Sequence, residues 1–287
     1  MTFPATNHPT VPMTRSADRN FSLHGRLAIV TGGYGVLGGM IASGLAAAGA
    51  RVVIVGRRPD AAAAKVAEIE AAGGSAQAII ADVLDPDSIR ASAEELAKRG
   101  EHDVDILINA AGGNVSRARS DNRSVFEIPM DAFDEVLRLN LHGTVAPTMV
   151  FGELMAARGR GSIVNISSMA AMQALSGVLG YSVAKAGIDN FTRWMAVDMA
   201  RRHGDGIRVN AIAPGFFLSE QNRAVLVTPD GAPTDRARKI VERTPMGRFG
   251  RPEELMGAVQ WLCSDAASFV TGVVIPVDGG FSAFSGV

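Results

Sequence analysis

Seven short apolar runs alternate with helical stretches along this chain, and that order limits its architecture more than any other feature. The runs are Leu27-Ala-Ile-Val-Thr31, Arg51-Val-Val-Ile-Val55, Ala76 to Ala81, Asp105-Ile-Leu-Ile-Asn109, Ser162-Ile-Val-Asn-Ile166, Ile207-Arg-Val-Asn-Ala211 and Val273-Val-Ile-Pro-Val277. Most lack polar alternation, which predicts strands buried on both faces, as in a parallel sheet. Helices are predicted near 36–48, 60–72, 86–99, 131–157, 181–202, 235–243 and 252–263. After Tyr181, the residues Ile188, Phe191, Met195 and Met199 recur at three- and four-residue steps, a stripe that faces a core. A length of 287 residues permits one or two domains. Strict alternation with no linker decides for one: an α/β, doubly wound, Rossmann-type domain over residues 21–287, with a central, mostly parallel seven-stranded sheet and helices on both faces.

Residues 1–20 are polar and proline-spaced, with no apolar central run, and predict a disordered tail and neither a signal peptide nor a membrane span. The net charge is −1, and the basic residues are scattered among acids, so no nucleic-acid partner is expected. The single cysteine, Cys263, forms no internal disulfide, which suits a reducing cytoplasm. No histidine cluster has metal-ligand spacing, and no metal is expected.

The first strand runs into Thr31-Gly-Gly-Tyr-Gly-Val-Leu-Gly38-Gly39 and then opens a helix. Glycines there let main chain approach a pyrophosphate, whose charge is favoured by exposed N–H groups at a helix start. Gly32, Tyr34, Gly35, Val36 and Leu37 are therefore candidate dinucleotide contacts. Asp82-Val83 closes the third strand, where a carboxylate accepts from an adenine amino group. Asn109, Ala110, Ala111 and Gly112 close the fourth, leaving room for a ribose. Pro214, Gly215, Phe217 and Ser219 follow the sixth, near a nicotinamide. At the end of the second strand, an NAD enzyme usually places Asp or Glu for the ribose 2′-hydroxyl. Here Gly56 stands there, followed by Arg57 and Arg58, and two guanidiniums without a carboxylate suit the 2′-phosphate of NADP. NAD is the alternative, with Arg57 merely capping a strand end.

Tyr181 and Lys185 are four residues apart, one helical turn, with Ser168 thirteen residues before the tyrosine. A lysine beside a tyrosine favours phenolate, so the phenol is expected below its usual value of roughly 10. Alone, such a pair arises by chance on many helices. With the glycine turn, Asn109 to Gly112, Asn140, Ser168 and the ending Val277-Asp-Gly-Gly280, it resembles the short-chain dehydrogenase/reductase family from Phe21 to Val287. The resemblance implies that Tyr181 exchanges a proton with the substrate oxygen and that Ser168 hydrogen-bonds that oxygen. Lys185 is implied to bind the nicotinamide ribose and lower the tyrosine pKa, and Asn140 to hold a water linking Lys185 to solvent. Members of this kind generally assemble as homotetramers, with the apolar C-terminus from Val270 a candidate interface. The glycine spacing departs from the compact members, since position 36 is valine and the glycine is at 35, as in the epimerase and dehydratase branch. Within the compact branch the chain is most similar to the D-mannonate oxidoreductase (fructuronate reductase) type, through Ala111-Gly-Gly-Asn114, Ala213 to Arg223, Thr244 to Gly250 and Gly279 to Val287.

The expected substrate is therefore a small polyhydroxy acid. The loop from Gly113 to Pro129 carries Arg117, Arg119 and Arg123 with Asn114 and Asn122. Such a loop clamps a carboxylate while amides bond hydroxyls, though a solvated basic loop is the plainer account of any one arginine. The stretch Phe216 to Pro233, rich in polar and turn residues, predicts a lid, with Gln221 and Asn222 toward sugar hydroxyls. Met169 and Gln173 follow the serine and are expected to line the pocket, with simple packing the alternative for Met169. Other readings remain: a reductase of ketoacyl, polyol or steroid carbonyls, or a non-catalytic dinucleotide-binding regulator.

Overall fold

A computed structural model describes residues 20–121, 123–217, 226–228 and 230–286. The strands are β1 (Leu27–Thr31), β2 (Arg51–Gly56), β3 (Ser75–Ile80), β4 (Val104–Asn109), β5 (Gly161–Ile166), β6 (Ile207–Pro214) and β7 (Val274–Val277). They form one sheet in the order β3-β2-β1-β4-β5-β6-β7, with every pair parallel. The helices are α1 (Val36–Ala47), α2 (Pro59–Ala71), α3 (Pro86–Lys98), α4 (Met130–Leu137), α5 (Gly143–Arg158), α6 (Leu179–His203), α7 (Asp235–Arg243) and α8 (Met256–Cys263).

Successive strand residues point to opposite layers, which is why unbroken apolar runs fit here. Ala28, Val30, Val52 and Ile54 pack with Ile41 and Leu45 of α1, Ile69 of α2 and Leu262 of α8. Leu27, Ile29, Val53 and Val55 pack on the other side with Ile89 of α3, Phe151 of α5, and Met195 and Met199 of α6. Each fully buried side chain of this size contributes roughly 1.5–3 kcal/mol. This is the doubly wound architecture expected from the order of elements. Because β1 lies between β2 and β4, the winding reverses beside it, and a crevice opens at the carboxyl ends of those strands.

Two boundaries differ from the sequence expectation in ways that shape the crevice. The helix expected over 131–157 is α4, a π-helical turn at Arg138–His142, and α5. Strand β6 continues to Pro214, pairing Pro214 with Val277, because β7 offers it a partner that propensity alone does not reveal. The proposed tail, apart from Asn20, lies outside the described residues.

Candidate active site

The turn from β1 into α1 is held open by its neighbours. Thr31 Oγ1 accepts from the N–H groups of Ala110 and Ala111, both at 3.2 Å, tying the end of β1 to the end of β4. Gly35, the N-cap of α1, is extended and makes no side-chain cap, so the first N–H groups of that helix remain available to an anion. Below them lies a cavity of about 740 Å3. Gly32, Tyr34, Gly35, Val36 and Leu37 line it from the turn, and Ala110, Ala111 and Gly112 from β4. Asp82 and Val83 line it beyond β3, and Gly215 and Phe217 beyond β6. Two expected contacts are absent from its wall. Pro214 is fully inside the sheet. Asn109 is buried, and its amide donates at 2.8 Å to Thr148 Oγ1 and at 2.8 Å to Asn165 Oδ1, so it braces β4 against α5 and β5 and does not face a ribose. Ser219 lies outside the described residues.

At the end of β2 the tyrosine of the turn takes an unexpected position. Tyr34 Oη accepts from the main-chain N–H of Arg57 at 3.0 Å and of Arg58 at 3.3 Å. The Arg58 guanidinium sits over the Tyr34 ring, 4.7 Å from its centroid. A Cβ at Gly56 would collide with that ring as it stands, so glycine at 56 leaves room for Tyr34. Arg57 and Arg58 both line the cleft, Arg57 reaching Asp82 Oδ2 at 3.6 Å.

The tyrosine–lysine pair stands on one face of α6, as the spacing predicts. Tyr181 and Lys185 both line the same cavity as the glycine turn. The Ser168 side chain hydrogen-bonds the Tyr181 phenol, and its Oγ also accepts from Ala170 N–H at 3.1 Å. Burial pushes the phenol up from its ordinary value, and the Ser168 bond opposes this. The expectation of a lysine-lowered phenol is therefore corrected: Lys185 Nζ donates to the Ile166 carbonyl at 2.6 Å and stands 5.4 Å from the Tyr181 centroid. Lys185 is itself pulled down to about 8 by burial, opposed by the Asp189 carboxylate. Asn140 lies in the π turn, fully buried. Its amide donates to the carbonyls of Gly113 at 2.8 Å and Val136 at 2.9 Å, while its Oδ1 accepts from Gly113 N–H at 3.0 Å. Both donors are thus spent on main chain, and the side chain anchors the loop after β4; the water link implied by resemblance has only a lone pair of Oδ1 to use.

On the substrate side, Asn114, Arg119 and Phe216 line the cavity as expected. Met169 does not; it is 1% exposed and packs, because the turn after Ser168 folds it inward. Gln173 lines an adjoining cavity of about 610 Å3 and donates to the Ser282 carbonyl at 3.1 Å. Of the loop arginines, Arg117 pairs with Asp131 at 2.5 Å, and Arg123 donates to the carbonyls of Arg117 and Arg119, leaving Arg119 as the one facing the cleft. Asn122, Gln221 and Asn222 lie outside the described residues. Sequence reasoning missed Arg236 and Ile240 of α7, which complete the wall opposite Tyr181.

An uncapped glycine turn, a Ser168–Tyr181 pair and a buried lysine share one crevice of a doubly wound sheet, the constellation of an oxidoreductase acting on CH–OH groups, and the comparisons agree. A family model described as enoyl-(acyl carrier protein) reductase matches residues 35–282. The uncharacterized oxidoreductase UxuB of Bacillus subtilis (strain 168) is 45% identical over 277 residues, covering 93% of this chain and 98% of that protein. The crystal structure of a putative D-mannonate oxidoreductase from Haemophilus influenza with bound NAD superposes with a TM-score of 0.88 at 42% identity, covering 95% of this chain and 100% of that one. A gluconate 5-dehydrogenase from Burkholderia cenocepacia J2315, in complex with NADP and tartrate, gives a TM-score of 0.85 at 33% identity, covering 94% and 100%. This chain belongs to the short-chain dehydrogenase/reductase family.

Proposed function

We propose that the protein interconverts a secondary alcohol and its ketone on a polyhydroxy acid of the D-mannonate/D-fructuronate kind, with NADP the preferred dinucleotide and NAD the alternative. One observation carries the reading: the Tyr181 phenol, bonded to Ser168 and neighbouring Lys185, shares a single cavity with the glycine turn and Arg119. The uncapped start of α1 fits a pyrophosphate, and the end of β2 fits a 2′-phosphate, since the Arg57 and Arg58 side chains line the cleft there and position 56 carries no carboxylate. When bound, the nicotinamide dinucleotide supplies or accepts the hydride at the substrate carbon. Tyr181 exchanges the proton at the substrate oxygen. Burial keeps its phenol protonated near neutrality, ready to donate during ketone reduction. Ser168 donates to that phenolic oxygen and steadies the phenolate formed afterwards. Lys185, with its value of about 8, holds a proton through pH 7 within the same cavity. Asn140 positions Gly113, and so the rim on which Asn114 meets the substrate. The names of the two similar crystal structures, a D-mannonate and a gluconate oxidoreductase, support a sugar-acid substrate. We place the enzyme in the cytoplasm as a homotetramer, on the family resemblance and the lone, buried Cys263, whose thiol burial raises to about 12. No helix among the described residues is long and apolar enough to cross a membrane.

The test is Tyr181→Phe with binding and turnover measured side by side. Dinucleotide affinity stays within a few-fold, while turnover falls by about 10²–10⁴ or more, the usual contribution of a positioned acid–base. Unchanged turnover refutes Tyr181 as the proton donor. A panel of hexuronates, hexonates, polyols and ketoacyl esters, followed by nicotinamide absorbance with each dinucleotide, tests the substrate; turnover of neutral polyols or acyl esters alone refutes the sugar acid.

A further inference from the structure

Helix α7 carries Arg236, Lys239 and Arg243 at positions i, i+3 and i+7, which is one face of a helix. That face lines the adjoining cavity of about 610 Å3, which shares Phe216, Arg236 and Ile240 with the cleft that holds Tyr181. Arg236 thus stands where the two spaces meet. Its Nη1 lies 3.4 Å from Asp121 Oδ1, and Asp121 Oδ2 accepts from Arg119 Nε at 2.6 Å. One carboxylate therefore spaces two guanidiniums from separate segments of the chain.

Asp121 is fixed in that post. Ser120 N–H donates to the Gly177 carbonyl at 3.1 Å. Gly177 has a φ of +80°, and a Cβ there would collide with the Asp121 carboxylate. Around the junction stand four cations, Arg119, Arg236, Lys239 and Arg243, against two acids, Asp121 and Glu242, an excess of two positive charges. Lys239 and Arg243 have no acidic partner among the described residues. Phe216 and Phe281, edge to face at 5.1 Å, supply an apolar wall beside them, which strengthens any charge interaction made there.

We propose that this basic face is the anion subsite for the substrate: Arg236, spaced from Arg119 by Asp121 and flanked by Lys239 and Arg243, receives the charged end group of a small molecule whose carbinol carbon lies at Tyr181. Guanidiniums bind carboxylate and phosphate alike, in bidentate fashion. On the sugar-acid reading above, on which this assignment of the group rests, it is the carboxylate. Arg236 is then a specificity-determining contact, and the far end of the substrate is read by α7.

The experiment uses the full chain with saturating dinucleotide and compares a hexonate, the hexitol of matching configuration and that hexitol's phosphate. Arg236→Gln and the double variant Lys239→Gln/Arg243→Gln are measured beside wild type. Arg236→Gln lowers the preference for hexonate over hexitol at least about tenfold, through KM with kcat nearly kept, the effect of losing one charge-assisted hydrogen bond. Arg236→Lys restores part of it, and dinucleotide Kd stays unchanged, which a folding defect would not allow. Hexonate turnover with an unaltered preference in Arg236→Gln overturns the subsite and leaves the sugar-acid function standing. Turnover of the phosphate but not the hexonate, lost in Arg236→Gln, overturns the sugar acid and supports the subsite. A neutral substrate indifferent to all the variants overturns both.

Discussion

Lys185 is the residue whose chemistry depends most on what surrounds it. Its ammonium is desolvated on α6, held by one carbonyl, and faced by Asp189, whose carboxyl burial raises while Ser167 bonds it. A lysine brought from 10.5 to about 8 makes the folded chain bind fewer protons than the unfolded chain between those two values. Stability contributed by this group therefore rises as pH climbs from about 8 toward 10.5, and is lost as pH falls through 8. Denaturation of wild type and Lys185→Met across that window checks the sign: the wild-type advantage grows with pH, and a flat difference refutes the buried lysine. The pairing of Tyr181 with Lys185 was legible, because i and i+4 must share a helix face. The engagement of Lys185 with Ile166 was not, since it depends on how β5 meets α6, a contact between residues 19 positions apart.

Among the elements, the turn after β1 does more than open α1. Through Tyr34 it also closes the end of β2, accepting two main-chain N–H bonds and leaving the phenolic proton to donate outward. Tyr34→Phe removes that donor, together with the acceptor of both main-chain bonds, while keeping the ring on which Arg58 rests, so NADP affinity falls roughly ten- to hundredfold, as for a hydrogen bond to a charged group. NAD affinity changes little; equal losses, measured by nicotinamide fluorescence titration, remove the argument for NADP. The glycine spacing and the missing acid at position 56 were readable, but not their connection, because a residue in a turn and one at a strand end meet only after β1 and β2 pair. The π turn was likewise invisible: 131–157 reads as one helix, whereas the turn at Arg138–His142 interrupts it at Asn140, which bonds Gly113. For Met169 sequence left lining and packing both open, since a short turn after β5 decides which neighbour of Ser168 faces the cleft, and it packs.

For the molecule as a whole, the outer sides of α5 and α6 keep Met149, Trp194 and Val197 more than half exposed, and Phe269 and Val273 are exposed near the C-terminus. On the homotetramer reading, Trp194→Glu lowers the mass seen by sedimentation from four times the 30.0 kDa chain to a smaller species. An unshifted tetramer places the interface elsewhere, and a wild-type monomer refutes the assembly. The sheet order followed from the alternation of strands and helices, since right-handed crossovers leave few windings. The wall supplied by α7 did not, because it forms across more than a hundred residues of chain, between Asp121 and Arg236. The fit of Tyr34 against Gly56 also bears on what can be exchanged at the end of β2. An acid introduced at 56 alone meets an aromatic ring already in its place, and a smaller residue at 34 alone strands Arg58. Positions 34 and 56 are therefore a matched pair, to be exchanged together and not singly.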